Sequence, residues 1–325
     1  MVNTVSASSS PITGAFGRKV VLGLAVGASM IWASNSESVV DFLFGFNDEP
    51  AAYYDPADFP LRASRHIGVD EWIDIPVPSG VKQPSGLTVR SGEVAIITDM
   101  AMVHKGNLRI DTPAMITETD SKLLLKKPLL FRQGHFEALS FGPTSDEMFA
   151  AGGGNTLYRL SSARGDLKIT DTWVLDLPHD GNSIPEIQGM AYRAETDTLF
   201  VGFSPEEDAG IKIAEYSSAG QFLGLMDLSL PGTDTDELSQ ILKRTNVTGL
   251  AIYGSHLIIL SDRHSGLLWI DLVSSQITDI WTYGGVTDTS AIAMDDGKLF
   301  LMQDHEYFEA APPLRVLDIS SKFSG

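Results

Sequence analysis

Five short stretches of the chain begin alike: "PSGLTV" at Pro84, "FEALSF" at Phe136, "IQGMAY" at Ile187, "VTGLAI" at Val247 and "TSAIAM" at Thr289. Each sets a small residue (Gly86, Ala138, Gly189, Gly249, Ala291) directly before a large aliphatic one (Leu87, Leu139, Met190, Leu250, Ile292). A second apolar stretch follows each opening across a polar turn: "EVAIITD", "EMFAAGG", "TLFVGF", "HLIILSD" and "KLFLMQD". A third comes next, as in "NTLYRLS", "IKIAEYS", "LLWIDL" and "LRVLDIS". Recurrence at about 40 to 60 residues is the spacing of propeller blades, each a four-stranded antiparallel sheet around a common axis. Small residues suit the innermost strands, where backbones converge and a side chain would crowd them. The fold class is therefore all-β, a β-propeller of four-stranded antiparallel blades. Five blades are counted, and six stay open if the long interval before Val247 merges two units.

Fourth strands fall on the looser segments "ITDTWVLDL" at Ile169 and "QFLGLMDLSL" at Gln221. The fifth repeat ends with the chain and lacks one. Ahead of the first repeat, "DEWIDIPVP" from Asp70 is an unassigned strand of the right kind. It is expected to complete the last blade, closing the ring with an N-terminal strand and removing open sheet edges. In the interval before Val247, "GTDTDELSQILKR" reads as a short helix that Thr233 or Asp234 can cap, with basic residues at its end.

The N-terminus follows other rules. Arg18 and Lys19 precede an uncharged apolar run from Val20 to Ala33, the layout of a signal peptide or signal anchor over 1–33. The run is shorter than the roughly 20 residues that span a bilayer comfortably. Residues 34–67, with "NDEPAAYYDPADFP", read as a linker, and 68–325 as the propeller. The propeller is thus expected outside the cytoplasm, in the periplasm or cell envelope, touching a membrane only through residues 18–33.

Charge and composition narrow the partners. With 23 basic against 42 acidic residues the net charge is -19, which repels a polyphosphate backbone and makes nucleic acid an unfavourable partner. There is no cysteine, so disulfides, thiolate metal sites and cysteine nucleophiles are excluded.

The openings, with "FEALSF" the nearest copy of an E-G-[LI] type signature, and the N-terminal export segment together resemble the SdiA-regulated (YjiK-like) family of bacterial β-propellers. The similarity covers about residues 68 to 320. The family name implies no activity. More distantly the pattern is similar to phytase-like and lactonase-like propellers, some of which use calcium. At four of five openings Ser85, Gln188, Thr248 and Ser290 stand where Glu137 retains the acid.

Counting thirteen positions on from each small residue lands on Asp99, Ala151, Gly202, Asp262 and Asp304. The start of one strand and the end of the antiparallel next share a face. Three aspartates, Glu137 and the neutral oxygens of Ser85, Gln188, Thr248 and Ser290 are thus expected around one axial mouth. Converging carboxylates repel one another, and a hard cation with oxygen ligands, calcium, is the natural partner. The candidate ligands are Glu137, Asp99, Asp262, Asp304 and Gln188. The competing reading makes the aspartates turn caps.

Other motifs read as structural. "GGGN" at Gly152 lacks the Lys-Ser/Thr of a phosphate loop and suits a turn. Asp262 with His264, or Asp304 with His305, could orient a general base, but no G-x-S-x-G elbow accompanies them; both histidines read as solvated loop residues. "NVT" at Asn246 matches a glycosylation acceptor at the inner start of a repeat, where a structural role is expected. "SPEEDAG" at Ser204 reads as a solvated loop, and "HEYFEAAPP" from His305 as an insertion that rims a pocket or covers the fifth blade. Two function classes follow: a binding or scaffold module holding a small molecule or protein at the propeller face, or a calcium-dependent hydrolase of phosphoesters or lactones.

Overall fold

In the computed structural model, residues 63–320 are described, except 100, 112, 125–134, 153, 164–165, 179–184, 204–209, 234 and 306–310. The signal segment, most of the linker, and parts of the "SPEEDAG" and "HEYFEAAPP" loops lie outside them. Two short strands come first, β1 (Arg65–Ile67) and β2 (Ile73–Ile75). Blade 1 holds β3 (Pro84–Arg90), β4 (Glu93–Thr98), β5 (Met102–Arg109) and β6 (Met115–Leu123). Blade 2 holds β7 (Phe136–Phe141), β8 (Glu147–Gly152), β9 (Thr156–Ser161) and β10 (Lys168–Val174). Blade 3 holds β11 (Ile187–Arg193), β12 (Thr198–Phe203), β13 (Lys212–Ser217) and β14 (Phe222–Leu225), followed by helix α1 (Thr235–Arg244). Blade 4 holds β15 (Gly249–Tyr253), β16 (His256–Ser261), β17 (Gly266–Asp271) and β18 (Ile277–Tyr283). Blade 5 holds β19 (Thr289–Asp295), β20 (Lys298–Gln303) and β21 (Leu314–Asp318). Five blades, not six, form the ring; the long interval before Val247 carries α1.

Apolar content falls from axis to rim. Second strands such as "EMFAAG" and "TLFVGF" are buried almost throughout, because a blade is covered on both faces by its neighbours. The fourth strands β10 and β14 are largely exposed. Each gap between adjacent blades holds one cluster of buried side chains. Phe149 of blade 2 packs with Val201 of blade 3, for example, and Ile258 of blade 4 with Leu301 of blade 5. Helix α1 inserts Ile241, fully buried, into the cluster between blades 3 and 4.

The ring closes as the sequence suggests. β2 pairs antiparallel with β21, Ile73 opposite Val316 and Ile75 opposite Leu314, and completes blade 5. Arg315 Nε meets Asp74 Oδ1 at 2.8 Å across that pair. The strand is shorter than "DEWIDIPVP": Val69–Glu71 form a 3-10 turn, and Pro76 and Pro78 have no N–H to extend the ladder. Just upstream, β1 pairs parallel with β18 as a fifth strand of blade 4. The last residues read as linker thus cover a blade edge, with Arg65 over the Trp281 ring at 4.9 Å. Between them, Trp72 packs edge-on to Tyr283, ring centroids 6.3 Å apart. No helix among the described residues is long and apolar enough to cross a membrane.

The small residues of the openings meet at the axis. A Cβ on Gly86 would come within 2.7 Å of Leu139 N and 2.8 Å of Ala138 C. One on Gly249 would lie 3.1 Å from Ile292 N. Crowding by the neighbouring blade's backbone, together with the Ile97 and Ile292 side chains, therefore favours glycine at these two positions.

Candidate functional site

The residue just before each of these small positions occupies a special place. In four blades the ladder between first and second strands slips there, between Pro84 and Gly86, Phe136 and Ala138, Ile187 and Gly189, and Thr289 and Ala291. Ser85, Glu137, Gln188 and Ser290 are therefore bulge residues, and a bulge re-aims a side chain without disturbing the strand beyond it. In blade 4 Thr248 directly precedes β15, its N–H donating to Leu260 O at 2.9 Å. Five equivalent residues thus ring one axial mouth. Ser290 Oγ donates to Pro84 O at 2.6 Å, tying blade 5 to blade 1. Ser85 Oγ and Thr248 Oγ1 are buried with no hydrogen-bond partner among the described residues; Ser85 is only 5% exposed.

The thirteen-residue count needs correction. Blades 1, 4 and 5 use two-residue hairpin turns, Ser91–Gly92, Gly254–Ser255 and Asp296–Gly297. Positive φ at Ser91 (53°), Gly92 (79°), Asp296 (47°) and Gly297 (70°) marks two of these as the tight turns that match strand twist. The turns of blades 2 and 3 are longer, joining Phe141 to Met148 and Arg193 to Thr198. Ala151 and Gly202 therefore pair directly with Ala138 and Gly189, whereas Asp99, Asp262 and Asp304 lie two positions past the partners of Gly86, Gly249 and Ala291. The same offset of two counts to Gly153 and Ser204 in blades 2 and 3, which lie outside the described residues. The three aspartates do share one structural position.

Their surroundings differ. Asp99 lies next to His135, whose Nδ1 is 3.9 Å from Asp99 Oδ2. Asp99, His135 and Glu137 each offer a ligand atom, all within 4.8 Å of one another. Burial, then Glu186 and Asp304, push the half-buried Glu137 carboxyl up to about 7. Asp262 accepts from Asn246 Nδ2, and burial raises it from its ordinary value. Asp304, exposed, accepts from His305 N at 2.7 Å. Blade 2's Glu137 is thus central, with Asp99 and His135 close by and Asp304 within electrostatic reach. Asp262 is held by its own blade. Gln188 sits at the bulge of blade 3, half-buried.

His135 is the residue that sequence reasoning missed. A signal existed: two positions before each ring residue stand Gln83, His135, Glu186, Asn246 and Asp288, polar in every repeat. His264 departs from the solvated reading. It is 1% exposed, its Nε2 lies 2.9 Å from Arg244 O, and burial lowers its pKa; it secures the end of α1. Asn246 of "NVT" is committed on both sides, its Oδ1 accepting from Ser261 Oγ at 2.7 Å. In "GGGN", Gly154 at φ 85° forms the turn before β9.

No protein-family model matches the sequence, and no curated protein does. Among solved structures, a crystal structure of Myxococcus xanthus glutaminyl cyclase is similar, with TM-score 0.50 and 14% identity over 78% of this chain and 98% of that one. A nidogen/laminin complex is similar at TM-score 0.39 and 11% identity, over 68% of this chain and 72% of that one. The likeness to the cyclase is one of fold, and with the strand order it establishes a five-bladed β-propeller.

Proposed function

We propose that the protein is a binding or scaffold propeller whose axial mouth holds a divalent cation. The observation that carries this is the convergence of Asp99, His135 and Glu137 within 4.8 Å. Support comes from Ser85 and Thr248, whose buried hydroxyl oxygens have no partner among the described residues and could serve directly or through water. The oxygen donors suit calcium; the imidazole moves the preference toward borderline ions such as zinc or manganese if it ligates. Asp304 and Gln188 stand in reserve at the same mouth. Asp262, bonded to Asn246, contributes through its charge.

The membership we infer is the SdiA-regulated (YjiK-like) family, on the openings quoted above. The place of action is outside the cytoplasm, delivered or anchored by residues 18–33, with a small molecule or protein partner at the propeller face.

The enzymatic reading is a cation-dependent hydrolase of phosphoesters or lactones. The carboxylates of the axial mouth favour it, because they could hold the cation beside a substrate. The bound cation would polarise the scissile group or lower the pKa of a water.

Melting of the metal-stripped protein with calcium, zinc or magnesium tests the binding reading. Stabilisation by calcium or zinc that is weakened in Asp99→Asn is expected; no shift with any ion sinks it. At 100 times the dissociation constant the stabilisation is about 2.7 kcal/mol. Turnover of a simple phosphoester or lactone, lost in Glu137→Gln, would favour the hydrolase.

A further inference from the structure

The cation mouth carries more charge than one ion can use. Every blade contributes a carboxylate: Asp99 follows the second strand of blade 1, Glu137 is the bulge residue of blade 2, Glu186 directly precedes β11 of blade 3, and Asp262 follows β16 of blade 4. Blade 5 gives two, Asp288 before β19 and Asp304 after β20, brought together where Asp304 N donates to Asp288 O at 2.7 Å. The six form one linked set. Asp99 shares the 4.8 Å cluster with Glu137. Besides burial, Glu186 and Asp304 push against the Glu137 charge, and Asp288 pushes against that of Asp262.

Arg263, which favours the Asp262 charge, and Lys82, next to Gln83, are the permanent cations beside these positions in the sequence. Six carboxylates against two cations leave a net of -4, and a divalent ion among Asp99, His135 and Glu137 would still leave -2. Such an ion serves blades 1 and 2, whereas the remaining acids belong to blades 3, 4 and 5. Two buried acceptors add to the demand. Ser85 holds in blade 1 the bulge position that Glu137 holds in blade 2, and Thr248 stands at the equivalent place in blade 4. Their hydroxyl oxygens have no partner among the described residues, and Ser85 is 5% exposed.

We propose that the mouth binds a linear aliphatic polyamine, with one ammonium at Glu137 and Ser85 and another facing Asp262 and Asp288. The inference rests on the reading of this mouth as a cation site and names its organic partner. Three constraints select the class. The sign is fixed by the excess of carboxylates, whose field a concave mouth concentrates. The spread of those carboxylates over five blades suits a chain with charges at intervals better than a point charge, which meets one sector and leaves the others repelling. An ammonium brings three donors and no acceptor, which matches a ring of carboxylate and hydroxyl oxygens. Burying Ser85 and Thr248 without a partner is costly, and an ammonium supplies one.

Calorimetric titration of the metal-stripped full chain with putrescine and spermidine tests the proposal, beside butylamine and 1,4-butanediol. Both polyamines are expected to bind, butylamine about tenfold more weakly or worse, and the diol not at all. Asp288→Asn keeps the shape of a residue at φ 47°, a conformation that asparagine tolerates. It is expected to weaken spermidine by at least about threefold and to leave the calcium or zinc melting shift in place. Asp171→Asn, on the exposed outer strand of blade 2, is expected to change nothing. The proposal is overturned by no heat and no melting shift with either polyamine up to about 10 mM. It is equally overturned if butylamine matches putrescine, or if Asp171→Asn weakens spermidine as much as Asp288→Asn does, which would make the attraction a property of the whole acidic surface. Metal shifts without polyamine binding sink this inference alone, and polyamine binding without any metal shift sinks the inorganic-ion reading alone. The amine comparison needs no variant, so it decides the matter even if Asp288→Asn fails to fold.

Discussion

Replacing Glu137 by glutamine isolates the most perturbed carboxyl of the cation mouth. In the folded chain burial, then Glu186 and Asp304, raise it from 4.5 to about 7; in the unfolded chain it returns to the ordinary range. A raised folded pKa means that the native state holds the proton more tightly. Its contribution to stability is therefore full below about 4.5 and is lost as pH rises through about 7. At pH 8 the fully ionised group costs at most about 3 kcal/mol, and residual solvent around a half-buried side chain trims this to about 2 kcal/mol. A domain of this size moves by about 2 to 4 °C per kcal/mol. With chelator present, Glu137→Gln should melt about 4 to 8 °C above wild type at pH 8 and level with it at pH 4.5. Circular dichroism melts at matched ionic strength read this directly, because the pH dependence of the remaining charges cancels in the difference. Adding the stabilising cation should invert the order at pH 8, since the neutral amide that replaces the carboxylate is the weaker ligand. A wild-type-to-variant difference that is the same at both pH values refutes the reasoning.

Three other outcomes are expected. Gly86→Val should lose at least about 3 kcal/mol by urea titration, since its Cβ would press on the backbone of Ala138 and Leu139; wild-type stability would mean that the inner strands are not in contact. Deleting residues 70–77 removes β2 and bares β21, so the protein should aggregate on mild heating, whereas deleting 34–54 should be tolerated; equal behaviour of the two in light scattering contradicts the ring closure. Residues 1–40 fused to a reporter active only outside the cytoplasm should give signal that Val26→Asp abolishes, and a reporter that works only inside the cell rejects export.

What the sequence by itself determined is the repeating, locally encoded part. Small residues at Gly86, Ala138, Gly189, Gly249 and Ala291 mark where backbones meet, and apolar runs such as "HLIILSD" mark strands covered on both faces. The orphan strand around Ile73–Ile75 announced the closure because the fifth repeat lacked a partner. Each of these is a property of one strand and its nearest turn. What only the tertiary structure decided depends on offsets between strands and on neighbours from other blades. Hairpin length shifts the register, so a fixed count of thirteen reaches equivalent positions in blades 1, 4 and 5 but not in blades 2 and 3. His135 joins Asp99 across the boundary between blades 1 and 2, and Arg65–Ile67 finds its partner in β18, more than two hundred residues away. The acidity of Glu137 belongs to the same class: its carboxyl is like any other until the ring closes around it, removing water and bringing Glu186 and Asp304 near.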